Sequence, residues 1–316
     1  MGHVCCVQAP FRNLMVQRAT RKKPAVDSSG SARVQVCFHM KTPDRMLYSF
    51  SINASAWILP DVVRNSEDGV HCVELCSNPA MSCESLRIIV KSLLDYKILA
   101  LDLTFNRQLG DSLVSAIKPL LEIKRSFLTD LKLADCGLTV AGLERLVKVA
   151  KKSGLRLLDI SYMQMRDEIE LIEQVLELPC LHQLEVNCCG LRPKEIRTIA
   201  ECLPFTSIKS LGLAGNPFGS DGLVYLARTL SETLVEELDL SGVSIESGCD
   251  GLSQLAKAWV ERPFSKLLLQ HNPMGQAGTL NFITTLQTMR PVKDYFAADC
   301  AVLNKLVMVN TSTSCC

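Results

Sequence analysis

Three groups of residues in this sequence have side chains capable of specific chemistry. His71, Cys72, Cys76 and Cys83 place four metal-donor types close together, enough in kind for a zinc site. Their spacing follows neither C-x2-C nor C-x2-C…H-x3-H. Cys72 and Cys76 are also expected on the open face of a strand whose Val73 and Leu75 point into a core, so zinc is not expected. The neighbours Cys188 and Cys189 have the composition of a redox pair, but adjacent strand residues face opposite ways, and no redox role is expected. The third group is the start "MGHVCC", where Gly2, Cys5 and Cys6 are candidate acyl acceptors ahead of the basic Arg18, Arg21, Lys22 and Lys23. The match is incomplete, because Cys6 stands where myristoylation favours Ser or Thr.

The histidines at 3, 39, 71, 182 and 271 are scattered, and none lies in an H-E-x-x-H, G-x-S-x-G or C-x-x-C context. No P-loop pattern G-x-x-x-x-G-K-[ST] is present either. The expectation is a non-enzyme with no catalytic residue, no metal and no cofactor.

Chemistry of any kind needs elements to position it, and these come as repeats. "LGLAGNPFGSDGLVYLARTL", residues 211–230, begins with strand-like alternation at Leu211 and Leu213. It ends with Leu223, Leu226, Ala227 and Leu230 at the spacing of one helical face. The glycines between are expected in the turn. Related segments are "VELCSNPA" at 73, "LDLTFNRQL" at 101, "LKLADCGL" at 131, "LDISYMQM" at 158 and "LEVNCCGL" at 184. "LDLSGVSI" at 238, "LLLQHNPM" at 267 and a degraded "YFAADCAV" at 295 complete the series. Successive starts lie 28, 30, 27, 26, 27, 27, 29 and 28 residues apart, too regular for chance. A single such unit is too short to bury its own apolar faces, so each requires its neighbours.

This pattern resembles the leucine-rich repeat L-x-x-L-x-L-x-x-N/C-x-L in its long, ribonuclease-inhibitor-like form. The resemblance implies an α/β solenoid of about nine repeats, with a curved parallel sheet on the concave side and helices on the convex side. Residues 70–302 would form it. Residues 1–32 read as a basic flexible tail, 33–69 as a hairpin-like cap and 303–316 as a C-terminal tail ending in Cys315-Cys316. Asn78, Asn106, Cys136, Cys189, Asn216, Asn272 and Cys300 fall at the N/C position, where they should turn inward onto backbone groups.

What remains for function is the concave face. The residues between the strand leucines are Glu74, Asp102, Lys132, Asp159, Glu185, Gly212, Asp239 and Leu268, and Asp130 and Glu237 add to them against Lys266. This strip is mostly acidic, whereas residues 1–41 hold seven Lys or Arg against one acid. The formal net charge of +1 therefore hides a remainder of about −5. An acidic strip attracts a basic protein surface and repels nucleic acid. The expected partner-binding residues are Glu74, Asp102, Asp130, Lys132, Asp159, Glu185, Glu237 and Asp239, with the strongest contact expected between about 74 and 185.

A protein-protein interaction scaffold binding a basic partner is thus the function expected. One alternative is a GTPase activator resembling the Ran activators, through Arg107, Asn106, Asn216 and Asn272, although the double-asparagine turn of that family is absent. Another is an inhibitor resembling the ribonuclease inhibitor. With 47% hydrophobic residues, mean hydropathy of +0.17 and fifteen cysteines but no signal-peptide core, the chain is expected to be a cytoplasmic monomer. Membrane association would come only through Gly2, Cys5 and Cys6, and an acid-free, arginine-bearing start is shared with mitochondrial presequences.

Overall fold

The computed structural model describes residues 33–41, 47–55, 70–122, 126–289 and 306–307. Gly2, Cys5, Cys6, Cys300, the degraded repeat at Tyr295 and the final Cys315-Cys316 lie outside the described residues. Two compact units divide the chain, Met1–Leu155 and Arg156–Cys316.

In the first unit β3 (Val70–Glu74), β4 (Ala100–Asp102) and β5 (Asp130–Lys132) run parallel, with Val73 opposite Leu101 and Leu101 opposite Leu131. Strand register therefore equals repeat phase. α1 (Cys83–Leu93), α2 (Ser112–Glu122) and α3 (Val140–Ala150) return the chain after each strand. Their buried positions keep helical spacing, as with Leu86, Ile89, Val90 and Leu93 in α1 and Leu143, Leu146, Val147 and Ala150 in α3. Against them pack Val73, Leu75, Leu101, Leu103, Leu131 and Leu133, all withdrawn from water. Each such side chain contributes about 1.5–3 kcal/mol on burial. Ser82 and Thr139 start α1 and α3 by accepting the Ser85 and Gly142 amides, which the first helical turn leaves without partners.

Two longer strands lie beside β3. β1 (Arg33–Lys41) and β2 (Leu47–Ser55) pair antiparallel from Arg33–Ser55 to Lys41–Leu47, and β1 pairs antiparallel with β3, placing Phe38 opposite Val73. The order in this unit is β2-β1-β3-β4-β5.

The second unit repeats the scheme with β6 (Leu157–Asp159), β7 (Gln183–Glu185), β8 (Ser210–Gly212), β9 (Glu237–Asp239) and β10 (Lys266–Leu268). Leu158, Leu184, Leu211, Leu238 and Leu267 stand opposite one another along the parallel ladder. α4 (Ile169–Leu176), α5 (Pro193–Cys202), α6 (Gly219–Thr229), α7 (Asp250–Glu261) and α8 (Gly275–Met289) cover one face. Near the end of this unit the Trp259 ring meets Phe264 edge-on at 5.4 Å between centroids. β11 (Leu306–Val307) adds parallel to β10. Two glycines of residues 211–230 depart from their expected place: Gly219 is the first residue of α6 and Gly222 lies inside it, not in the turn. A Cβ on Gly222 would overlap the Phe218 ring, so the missing side chain makes room for an aromatic.

Candidate partner-binding face

The face is built on a scaffold of buried amides. Asn106 donates from Nδ2 to the carbonyls of Leu75 (3.0 Å) and Leu103 (2.6 Å) and accepts the Asn78 amide on Oδ1 (2.9 Å). In the second unit Asn216 donates to Val186 and Leu213, both at 2.8 Å, and accepts the amides of Cys189 (2.9 Å) and Leu191 (3.1 Å). Asn272 does the same between Leu240 and Leu269 carbonyls and the Val243 and Ile245 amides. Each asparagine thus ties two successive repeats and satisfies backbone groups that no strand partner reaches. Where the position is cysteine, only the weaker thiol donor remains: Cys136 Sγ to Leu103 O at 3.0 Å and Cys189 Sγ to Ile160 O at 3.5 Å. Burial pushes the Cys189 thiol up to about 12.

On the sheet face away from the helices stand the residues between the buried leucines. Glu74, Asp102 and Asp130 are half-buried and Lys132 is exposed in the first unit. In the second, Asp159, Glu185, Asp239 and Leu268 are half-buried, Glu237 is exposed and Gly212 is buried. Three aspartates have a structural task that the sequence pattern had not assigned. One carboxylate oxygen each of Asp102, Asp159 and Asp239 accepts the backbone amide two residues on, from Thr104 (2.9 Å), Ser161 (3.0 Å) and Ser241 (2.9 Å). These are Asx turns, closing the strand end. The recurring D-x-[ST] in "LDLT", "LDIS" and "LDLS" was the available signal.

The two units differ in charge on this face. Lys132 Nζ lies 4.0 Å from Asp102 Oδ2, which partly neutralises the first row. In the second unit Glu185 is held flat on the sheet by Gln183 (2.9 Å) and Asn187 (3.0 Å), which donate to its two oxygens. Desolvation raises its carboxyl above the usual range; those two hydrogen bonds oppose the shift, and Asp159 and Asp239 add to it. Neither Gln183 nor Asn187 was singled out by sequence pattern, since each is an ordinary polar residue until the register places it beside Glu185. Asn187 Oδ1 also accepts the Ala214 amide at 2.8 Å.

The remaining chemical candidates find other uses. Cys83 Sγ donates to Leu109 O at 3.3 Å, and Cys72 is pushed up to about 11, chiefly by burial and then by Glu74 and Asp102. Among the described residues no group of His, Cys, Asp and Glu is gathered for a metal ion. Cys188 is exposed and Cys189 buried. Arg107 donates from Nε to Asp135 Oδ1 at 2.6 Å, while Asn106, Asn216 and Asn272 are buried. The three asparagines are therefore out of reach of any GTPase. Among the described residues no helix is long and apolar enough to cross a membrane.

The repeat register, the buried asparagine positions and the helix after each of the strands β3 to β10 define the class. A family model described as Leucine Rich repeat matches residues 206–227. Ribonuclease inhibitor of Mus musculus is 30% identical over 229 residues, covering 68% of this chain and 48% of the relative. The protein of the same name from Sus scrofa is 29% identical over 223 residues, again covering 68% and 48%. A solved complex of TLR13 with ssRNA13 is 17% identical with a TM-score of 0.40, over 69% of this chain and 27% of that one. The chain is a leucine-rich-repeat protein. Its repeats are of the long, ribonuclease-inhibitor-like type, and it spans about half the length of the curated relatives it matches.

Proposed function

We propose that this protein is a non-enzymatic scaffold that binds a basic protein surface on the open sheet face of its second unit. The observation that supports this most is the juxtaposition of Asp159, Glu185 and Asp239 on that face, close enough for the two aspartates to raise the Glu185 carboxyl. Like charges so placed favour an approaching cation and disfavour phosphates. The first row, interrupted by Lys132, contributes less, which shifts the contact toward the C-terminal end of the 74–185 region expected from sequence and beyond it to Asp239. This reading assumes the cytoplasm, where exposed thiols such as Cys76 and Cys188 stay reduced. Binding of purified basic proteins at rising salt tests it: affinity should fall steeply with ionic strength and be lost in the Asp159→Asn, Asp239→Asn double variant. Salt-independent binding, or binding untouched by that variant, contradicts it.

A second reading follows from the relatives named ribonuclease inhibitor. Here the basic partner is a ribonuclease, and binding blocks its activity. Titration of the protein into a pancreatic-type ribonuclease assay decides between the two, since a scaffold for another partner leaves cleavage unchanged. Acyl attachment at Gly2, Cys5 and Cys6 is a separate proposal, tested by whether Gly2→Ala moves the protein out of a membrane fraction.

A further inference from the structure

Loops 203–209 and 230–237 of the second unit each join a helix to the next strand, and they close in the same way. Thr206 Oγ1 donates to the Leu203 carbonyl (2.9 Å) and accepts the Ile208 amide (3.4 Å), and Thr233 Oγ1 pairs likewise with Leu230 (2.8 Å) and Val235 (3.3 Å). Leu203, Ile208, Leu230 and Val235 are buried and anchor both loops in the core. The single turns Leu203–Phe205 and Leu230–Glu232 lie side by side. Yet Phe205 is 91% exposed and Leu234 47%. In the corresponding places of the other loop stand Glu232 and Ser207, so this loop geometry requires neither apolar side chain. Two neighbouring loops thus show water apolar area that folding does not use, which is the mark of a contact surface.

We propose that Phe205 and Leu234 anchor the basic partner of the acidic face, and that this partner is a segment carrying bulky apolar side chains among its Lys and Arg residues. The inference rests on the acidic-face reading and adds to it a source of affinity that salt does not screen. Charge selects the occupant. Loops 203–209 and 230–237 hold Lys209 against Glu232, Glu236 and Glu237, and Lys209 Nζ is already paired with Glu236 Oε1 at 3.1 Å. Glu232 and Glu237 are exposed. A nucleic acid, an acidic segment or an anionic lipid surface is repelled there, whereas an apolar segment flanked by cations matches both the acids and the apolar pair. The surface is also continuous with the acid row. The Lys209 carbonyl, at the end of the Phe205 loop, accepts the amides of Glu236 (2.7 Å) and Glu237 (2.9 Å), and Glu237 leads along β9 to Asp239. Leu234 is five residues from Asp239, at most about 18 Å of chain. A standard interface covers about 800 Å² on each partner, enough for the acids and the apolar pair together. Half-buried carboxylates give steering, and exposed apolar side chains that lose water on contact give affinity.

Two short fluorescent peptides of equal lysine content test this against the full chain, one with Phe and Leu between the lysines and the other with Ser in their place. By anisotropy the apolar peptide should bind at least about tenfold tighter. That advantage should persist at high salt, because apolar burial is not screened. The Phe205→Ser, Leu234→Ser double variant should erase the advantage and leave the affinity of the serine peptide unchanged; both positions are exposed, so the fold is kept. The Asp159→Asn, Asp239→Asn variant should weaken both peptides alike. Equal affinity of wild type for the two peptides, or an advantage that survives loss of Phe205 and Leu234, overturns this inference and leaves the acidic face standing. Binding of neither peptide at low salt overturns both. Self-association of wild type that the Phe205→Ser, Leu234→Ser variant abolishes also overturns it, by making a second copy the occupant.

Discussion

The Glu185 carboxylate lies over the Cα of Gly212, in the space a side chain on the neighbouring strand would occupy. Repeat register sets this pair, since Glu185 and Gly212 are opposite one another on β7 and β8. Any Cβ at 212 displaces the acid from Gln183 and Asn187. Gly212→Ala should destabilise the second unit by about 1–3 kcal/mol, the range for overpacking. Glu185→Ala in the same chain should restore part of that loss. Urea denaturation of the two single variants and the double variant measures the coupling, and strict additivity would dissociate the pair.

Glu185 also sets a pH dependence. Its folded carboxyl titrates above the unfolded value, so its ionisation costs stability, and that cost is absent below the ordinary carboxylate range. As pH rises from that range through the folded value, the second unit loses the contribution. Glu185→Gln removes the titration, so its stability relative to wild type should improve across this window. A pH series of denaturation midpoints checks the sign; a difference independent of pH would be inconsistent with it.

Asn216 satisfies four backbone groups across two repeats. Asn216→Ala leaves them buried without partners and should cost at least about 3 kcal/mol. Cys189→Ala loses a small apolar side chain and one weak donor and should cost about 1 kcal/mol. Equal losses in thermal or urea unfolding would mean that the asparagine positions are packing sites rather than hydrogen-bond anchors.

Thiol reactivity should follow burial. Cys189 at about 12 and Cys72 at about 11 remain protonated at pH 8, chiefly because burial disfavours the thiolate. Exposed Cys76 and Cys188 should be alkylated by iodoacetamide at least about tenfold faster, as read by peptide mass spectrometry. The same shifts make the fold alkali-sensitive. An unfolded thiol releases its proton near 8.5 while the folded one keeps it, so stability declines as pH rises from there toward the folded values.

Much of the fold is legible in the sequence because repeat phase and strand register coincide. Leu101, Leu131, Leu211 and Leu238 occupy the same place in every unit, and Asn78, Asn106, Asn216 and Asn272 were assigned inward from the motif alone. The face was less legible. Alternation puts Asp102, Asp159 and Asp239 on the open side, but their bonds to the amides two residues on depend on the turn after the strand. After Asp102 and Asp159 that turn holds Phe105 and Tyr162 at φ of 61° and 65°, where the Asp239 repeat has Gly242 and the repeat before it Gly215. Bulky residues give no local cue to a left-handed backbone. In the sequence Glu185 reads as one more acid of the partner-binding strip, because its seat on Gly212 comes from a residue 27 positions away.

The aspartate geometry decides how the binding face must be probed. Charge reversal to lysine would remove the acceptor that closes each strand end and would confuse folding with recognition. Asparagine keeps an oxygen for the Ser161 and Ser241 amides and deletes the charge. The most direct measurement is therefore the affinity of a basic partner, captured from native cells, for wild type and for the Asp159→Asn, Asp239→Asn variant at matched unfolding midpoints. The account predicts at least about a tenfold loss, about 1.4 kcal/mol, that fades at high salt. Equal affinity of the two proteins at low salt would contradict it.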